Sequence, residues 1–550
     1  MTTEKSKKAT VSFDSLLRIF TVPEGPDSTL TQIEHALSHN VNEFLNDHIV
    51  TEDVPLTDIE NDFAHARIPD EPEFVSTHTD HLLNKVVAHS VHTASPHFIG
   101  HMTSALPYFL LPLTKVMTAL NQNLVKIETS KAFTPLERQV LGMLHHLVYQ
   151  QCDAFYTPLL HSAEHSLGAF CSGGTIANIT ALWVARNQAL PASRDFPGIA
   201  IAGAHAALRY YGYDDLAIIV SERGHYSLKK AADILGIGQN NVITITTDDN
   251  NRIDIAEFEH TLTKLKQRNV CVFAAIGIAG TTETGSVDPL PEMAHICRRE
   301  NIHFHVDAAW GGATLFSNTH RHLLHGIEQA DSVTIDAHKQ MYIPMGAGVV
   351  LFKDPCAMHA IEHHAQYILR AGSKDLGSHT LEGSRSGIAM LVYSSLHILG
   401  RAGYELLIDQ SINKAKFFAD LIEQQQDFEL ISAPELCLLT YRYRPHQVKD
   451  ALTQATALQQ AALNDTLNEL TIFIQKRQRE NGRSFVSRTQ LTPHNWSRYP
   501  IIVLRVVLAN PLTTEAILES VLEEQRAIAT QATLLMQRIK TMCQSILVQK

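Results

Sequence analysis

Five short stretches of this chain hold side chains that can do chemistry, and each lies at or just after an apolar run of strand length. Asp336-Ala337-His338-Lys339 follows Ser332 to Ile335 and puts an amine at a strand end. An amine there can attack a carbonyl, although most isolated lysines simply reach solvent. Asp307 closes the run Ile302 to Val306 within His305-Val306-Asp307-Ala308-Ala309-Trp310-Gly311-Gly312. A carboxylate at the end of a buried strand is costly unless a cation meets it. Cys171-Ser172-Gly173-Gly174-Thr175 precedes a helical pattern through Ile176, Ile179, Leu182 and Trp183, so its small residues either expose amides to an anion or make a plain turn. Ser221-Glu222-Arg223-Gly224-His225 ends in an imidazole that can stack on a ring or cap a helix, and Gly280-Thr281-Thr282-Glu283-Thr284-Gly285 reads as a hydroxyl-rich turn.

The elements that must position these groups alternate between short apolar runs and helical segments. Ile199 to Ala202, Ala217 to Val220, Val242 to Thr246, Val270 to Ile276, Ile302 to Val306, Ser332 to Ile335 and Gly348 to Phe352 are the expected strands. Runs apolar at nearly every position suit a mainly parallel sheet covered on both faces, and such sheets bind ligands at the carboxyl ends of their strands. Helix is expected over residues 30–45, after the breaker-rich Pro23 to Ser28. Beyond residue 400 the pattern gives helices over Leu406 to Ile422 and Ala451 to Lys476, a loop at Arg477 to Arg483, a strand at Ile501 to Leu508 and a helix from Thr513. The expected organisation is an N-terminal helical segment (1–125), a large α/β domain (126–400) and a small α+β domain (401–550).

A phosphate cradle, a stackable ring, a buried carboxylate and a lysine on successive strand ends match what pyridoxal phosphate needs. The same motifs, with Gly280-Thr281-Thr282, come in an order that resembles the group II pyridoxal-phosphate decarboxylases over roughly residues 90 to 400. The resemblance implies a fold-type I homodimer with its active sites at the subunit interface. It implies that Lys339 holds the cofactor through its amine, that Asp307 pairs with the pyridine nitrogen and that His225 stacks on the ring. It further implies that Gly174, Thr175 and His338 contact the phosphate, and that Thr282 and Ala309 line the ring's edge and other face. Ser95-Pro96-His97-Phe98 is similar to the family's substrate-side segment, pointing to His97. Leu504-Arg505-Val506-Val507-Leu508-Ala509-Asn510-Pro511 is similar to a segment whose arginine meets a substrate carboxylate, pointing to Arg505; a structural salt bridge is the alternative for that residue. Of Tyr342 and Tyr367, the latter better fits the loop tyrosine that returns a proton, with helix packing as its alternative. Residues 331–355 resemble the branch acting on L-aspartate, giving β-alanine for pantothenate and coenzyme A synthesis; L-glutamate is the alternative substrate.

Composition narrows the remaining classes. With 550 residues, 45% of them hydrophobic and 19% charged, the chain can bury a large core, and a net charge of -12 argues against a nucleic-acid surface. The 7 scattered cysteines lack metal or disulfide spacing and read as reduced thiols. His359-Ala360-Ile361-Glu362-His363 matches an inverted zinc-site pattern, but in a chain with 31 histidines a solvated helix face is the preferred reading, and no metal is expected. With no apolar leader and no membrane-length run, a cytoplasmic protein is expected. An aminotransferase or lyase using the same cofactor, or a cofactor-binding regulator, are the competing functions.

Overall fold

The computed structural model describes residues 29–47, 50–51, 54–364, 372–493 and 499–548. Seven strands form the larger sheet: β1 (Gly168–Cys171), β2 (Asp215–Ser221), β3 (Val242–Ile245), β4 (Val270–Ile278), β5 (His303–Asp307), β6 (Ser332–Asp336) and β7 (Gly348–Phe352). Their order is β1-β7-β6-β5-β4-β2-β3; β3, β2, β4, β5 and β6 run parallel, and β7 is antiparallel to both neighbours.

The uninterrupted apolar runs have a direct cause in β2. Ile218 and Val220 face the helices Gly174–Ala189 and Ser227–Ile234, whereas Ala217 and Ile219 join the cluster built with Val140, Phe258 and Met293 from helices on the other side. With both faces covered, successive side chains are buried on opposite sides and none is left for water.

Four antiparallel strands form a second sheet, ordered β10-β11-β9-β8: β8 (Phe428–Ser432), β9 (Leu438–Tyr443), β10 (Ser487–Leu491) and β11 (Ile501–Val507). Helices Ala457–Asn481 and Glu515–Gln531 pack on it, and Leu438 and Leu504 share one apolar cluster with Ile219 of the larger sheet. An N-terminal stretch lies along the smaller sheet: Ile99 N–H donates to Phe485 O and Val507 N–H to Ile99 O. A Cβ on Gly100 would lie 2.4 Å from Ser487 N, so only glycine permits this approach.

The structure corrects several expectations. Ile199–Ala202 is a helical turn between Gly198 (φ 87°) and Gly203 (φ 80°), because a four-residue apolar run cannot by its pattern distinguish strand from buried helix. Gly168–Cys171, not expected as a strand, forms the antiparallel edge against β7. The helix read over Ala451 to Lys476 is two, His446–Gln454 and Ala457–Asn481, separated where Thr456 and Gln459 form a capping box. That second helix covers most of the loop read at Arg477 to Arg483 and stops at Gly482, a left-handed C-cap. The His359 stretch is a single 3₁₀ turn, Ala357–Ile361, rather than a helix face; the His359 ring bonds Glu164 O, and His363 Nδ1 bonds Ile361 O at 2.8 Å. Helix Thr29–Asp47 covers the N-terminal helix expected from the sequence.

Candidate active site

The carboxyl ends of β1, β2, β4, β5 and β6 open into one cavity of about 550 Å³, roofed by residues from the N-terminal stretch and from β11. Gly174, Thr175, His225, Thr282, Asp307, Ala309, His338, Lys339 and Arg505 all line it.

Lys339 reaches the cavity because β6 ends in a tight turn, its N–H donating to Asp336 O, and its Nζ lies 3.1 Å from Asp336 Oδ2. The Asp336 carboxylate is 4% exposed and is tucked against two glycines. A Cβ on Gly174 would approach its Oδ2 to 2.8 Å and one on Gly348 its Oδ1 to 2.9 Å, so both positions must lack a side chain. His338 donates from Nδ1 to Ala347 O at 3.1 Å, which turns Nε2 toward Asp336 at 3.6 Å; burial holds this imidazole below its ordinary range.

Gly173 caps the helix Gly174–Ala189 without any side-chain hydrogen bond. Ala177 N–H is the first to close back, onto Gly173 O. The amides before it in the first turn are therefore the positive end of a 16-residue helix, a suitable seat for a phosphate. Ser172 N–H is already taken by Glu382 Oε2 at 2.9 Å.

Asp307 is 7% exposed, and each oxygen holds one donor: Ala309 N–H at 3.1 Å on Oδ1 and Asn178 Nδ2 at 2.8 Å on Oδ2. A carboxylate oxygen accepts more than one hydrogen bond, so capacity remains for a further N–H from the cavity. His225 is held by Ser227, whose Oγ lies 2.8 Å from Nδ1, and burial lowers its affinity for a second proton.

Arg505 is fixed entirely by neutral acceptors. Nε donates to Thr282 O at 2.6 Å, and Nη1 donates to Gly100 O at 3.3 Å and Ser487 Oγ at 3.2 Å. Nη2 is buried without a hydrogen-bond partner, and the nearby Glu283 carboxylate acts on this guanidinium through its charge without a hydrogen bond to it. Burial pulls it down to about 10, against the opposing charge of Glu283.

His97 is not among the cavity residues; its carbonyl accepts from Phe485 N–H, and His101, four positions on, lines the cavity instead. Tyr367 lies outside the described residues. Tyr342, the other tyrosine considered, is buried and donates to Ala509 O at 2.8 Å, a packing role. Sequence reasoning missed Asn178, Arg223 and Asp336 as cavity residues. Asp336 could have been found from its i,i+3 spacing to Lys339.

Comparisons with known proteins agree with this geometry. Residues 60–444 match the family model described as the pyridoxal-dependent decarboxylase conserved domain. The chain is 66% identical to aspartate 1-decarboxylase of Aliivibrio fischeri over 525 residues, covering 96% of each chain. It is 29% identical to the human acidic amino acid decarboxylase GADL1, covering 67% of each. The crystal structure of mouse CSAD shares the fold with a TM-score of 0.77 at 24% identity, over 90% of this chain and 98% of that one.

Proposed function

Since the chain belongs to the pyridoxal-dependent decarboxylases, we propose that it cleaves the α-carboxylate from L-aspartate, releasing carbon dioxide and β-alanine. The observation that carries the substrate class is Arg505: a guanidinium lining the cavity whose Nη2 has no partner and which, although Glu283 lies near, has no anion hydrogen-bonded to it. A second, side-chain carboxylate on the substrate supplies that anion in fork geometry.

The residues present fit the cofactor: an uncapped helix start for the phosphate, an acceptor in Asp307 for a ring N–H, and an amine in Lys339. When bound, pyridoxal phosphate supplies an electron sink for the bond pair left at the α-carbon as carbon dioxide departs. Lys339 would anchor the cofactor through its amine. Asp307 would hold a proton on the ring nitrogen. His225, Ala309 and Thr282 would hold the ring, and Gly174, Thr175 and His338 the phosphate. Arg505 would hold the substrate's side-chain carboxylate and so orient its α-carboxylate for loss. A proton then takes the place of the lost carboxylate at the α-carbon, and Tyr367 is the proposed donor. We further propose a cytoplasmic homodimer whose β-alanine feeds pantothenate and coenzyme A synthesis; among the described residues no helix is long and apolar enough to cross a membrane.

The test is carbon dioxide release by the cofactor-loaded protein from L-aspartate, L-glutamate, aromatic amino acids and histidine, with β-alanine quantified alongside. Aspartate is expected to give the highest kcat/KM and one β-alanine per carbon dioxide. One methylene is worth about 1–3 kcal/mol in a pocket, so some glutamate turnover is expected. A higher kcat/KM for glutamate or an aromatic substrate would overturn the aspartate assignment. A solution mass near that of one 61.1 kDa chain would overturn the dimer.

A further inference from the structure

Asp307 and His225 have separate tasks at the cavity, yet both hang on one amide. Asn178, in the helix Gly174–Ala189, is 1% exposed and makes three side-chain contacts. Nδ2 lies 2.8 Å from Asp307 Oδ2 and 3.2 Å from Ser227 Oγ, one acceptor for each of its two hydrogens, while Oδ1 lies 3.1 Å from His305 Nε2. Most side-chain hydrogen bonds go to backbone or water, whereas these three all go to other side chains.

The proton positions follow from what each atom can do. A carboxylate only accepts, so the NH₂ end of Asn178 faces Asp307 and its carbonyl faces His305. His305 therefore carries its proton on Nε2, and its Nδ1 accepts from Ser332 Oγ at 2.9 Å. Ser332 Oγ in turn accepts from His303 Nε2 at 2.8 Å. On the other arm, Ser227 Oγ accepts from Asn178 and donates to His225 Nδ1 at 2.8 Å, a nitrogen that Ser227 N–H also approaches at 3.3 Å. His225 is thus fixed with its proton on Nε2. Ser227, His305 and Ser332 are fully buried, so no water competes within the network.

We infer that Asn178 is a positioning residue that sets both the plane of the Asp307 carboxylate and the tautomer of His225, coupling the two groups that grip the cofactor ring. The inference rests on Asp307 being the partner of the ring nitrogen.

Pyridoxal phosphate labelled with ¹⁵N in its ring reports protonation of that nitrogen by its chemical shift, and equilibrium dialysis reports cofactor affinity; neither needs turnover. Wild-type protein is expected to give the protonated signal. Asn178→Asp keeps the shape but sets a second carboxylate against Asp307. Cofactor Kd should rise at least tenfold, and the ring signal should move toward the unprotonated position. In the cofactor-free variant, histidine ¹⁵N spectra should show the His225 proton moving toward Nδ1, that resonance being assigned by its loss in His225→Gln. Asn187→Asp is the control: this buried asparagine of the same helix bonds Ala360 O at 2.8 Å, and its replacement should leave the ring signal in place. If Asn178→Asp does not fold, Asn178→Ser removes the amide without adding charge and carries the same expectation. Unchanged Kd and ring signal in a folded Asn178 variant would overturn the inference while leaving the Asp307 assignment intact. An unprotonated ring nitrogen in the wild type would overturn both.

Discussion

Asp336 Oδ2 lies 3.1 Å from Lys339 Nζ, whereas Oδ1 of the same buried carboxylate meets no donor at all. The ammonium is thus the principal compensation for that charge while Lys339 is free. Breaking a fully buried pair costs about 3–5 kcal/mol, but Lys339 is 21% exposed, so solvent screening reduces the cost to about 1–2 kcal/mol. Asp336→Asn should lower the stability of the cofactor-free protein by that amount and change the loaded protein less, because Lys339 is then engaged elsewhere. Urea midpoints of the two forms decide this; equal losses would count against the pairing.

Lys339→Ala should still bind pyridoxal phosphate weakly through the phosphate seat. After borohydride treatment, mass spectrometry should find the cofactor attached at Lys339 in the wild type and no attachment in the variant. Attachment at another lysine would remove Lys339 from its role.

Asp307→Asn preserves shape while replacing the charge that faces the ring nitrogen. The loss of a buried charge partner is worth about 3–5 kcal/mol, which is roughly several hundredfold or more in kcat. Cofactor binding should largely survive. Near-normal turnover would sink the electron-sink assignment.

Arg505→Lys keeps a positive charge but gives up the fork. KM for aspartate should rise roughly tenfold, on the order of 1.4 kcal/mol. Cofactor affinity should not change. Comparable loss of both would return Arg505 to a structural role, tying Thr282, Gly100 and Ser487 together.

Burial pulls His145 and His305 down to about 4, so both are neutral in the native protein, while the unfolded chain takes up a proton near pH 6.5. As pH falls from about 6.5 to about 4 the unfolded state binds protons first, so stability drops across that window and levels off below it. At about 1.4 kcal/mol per unit, each contributes on the order of 3 kcal/mol. His145→Gln should flatten the fall of the urea midpoint between pH 6.5 and 4.5; an unchanged slope would refute this contribution.

Asp307 and Lys339 were legible in the sequence because each sits at the end of a short apolar run, and strand ends in a parallel sheet share one crevice. Asn178 was not, since it looks like one polar residue in an ordinary helix and its partner Asp307 lies 129 positions away. Arg505 was placed on a strand by its apolar neighbours, but that strand pattern is silent on its hydrogen-bond partners, which Thr282, Gly100 and Ser487 bring from three other segments. The turn at Ile199–Ala202 was misread because its two flanking glycines, and not its apolar run, decide its conformation.

The close approach of Gly100 to Ser487 can form only late in synthesis. Every strand of the larger sheet has left the ribosome once Phe352 emerges, but the N-terminal stretch carrying Gly100 has no edge to lie against until β10 and β11 follow, more than a hundred residues later. The strand ends that carry the phosphate seat and the lysine are therefore synthesised well before Arg505. In the proposed reaction, the group that receives the substrate's second carboxylate is thus the last of the cavity residues to leave the ribosome.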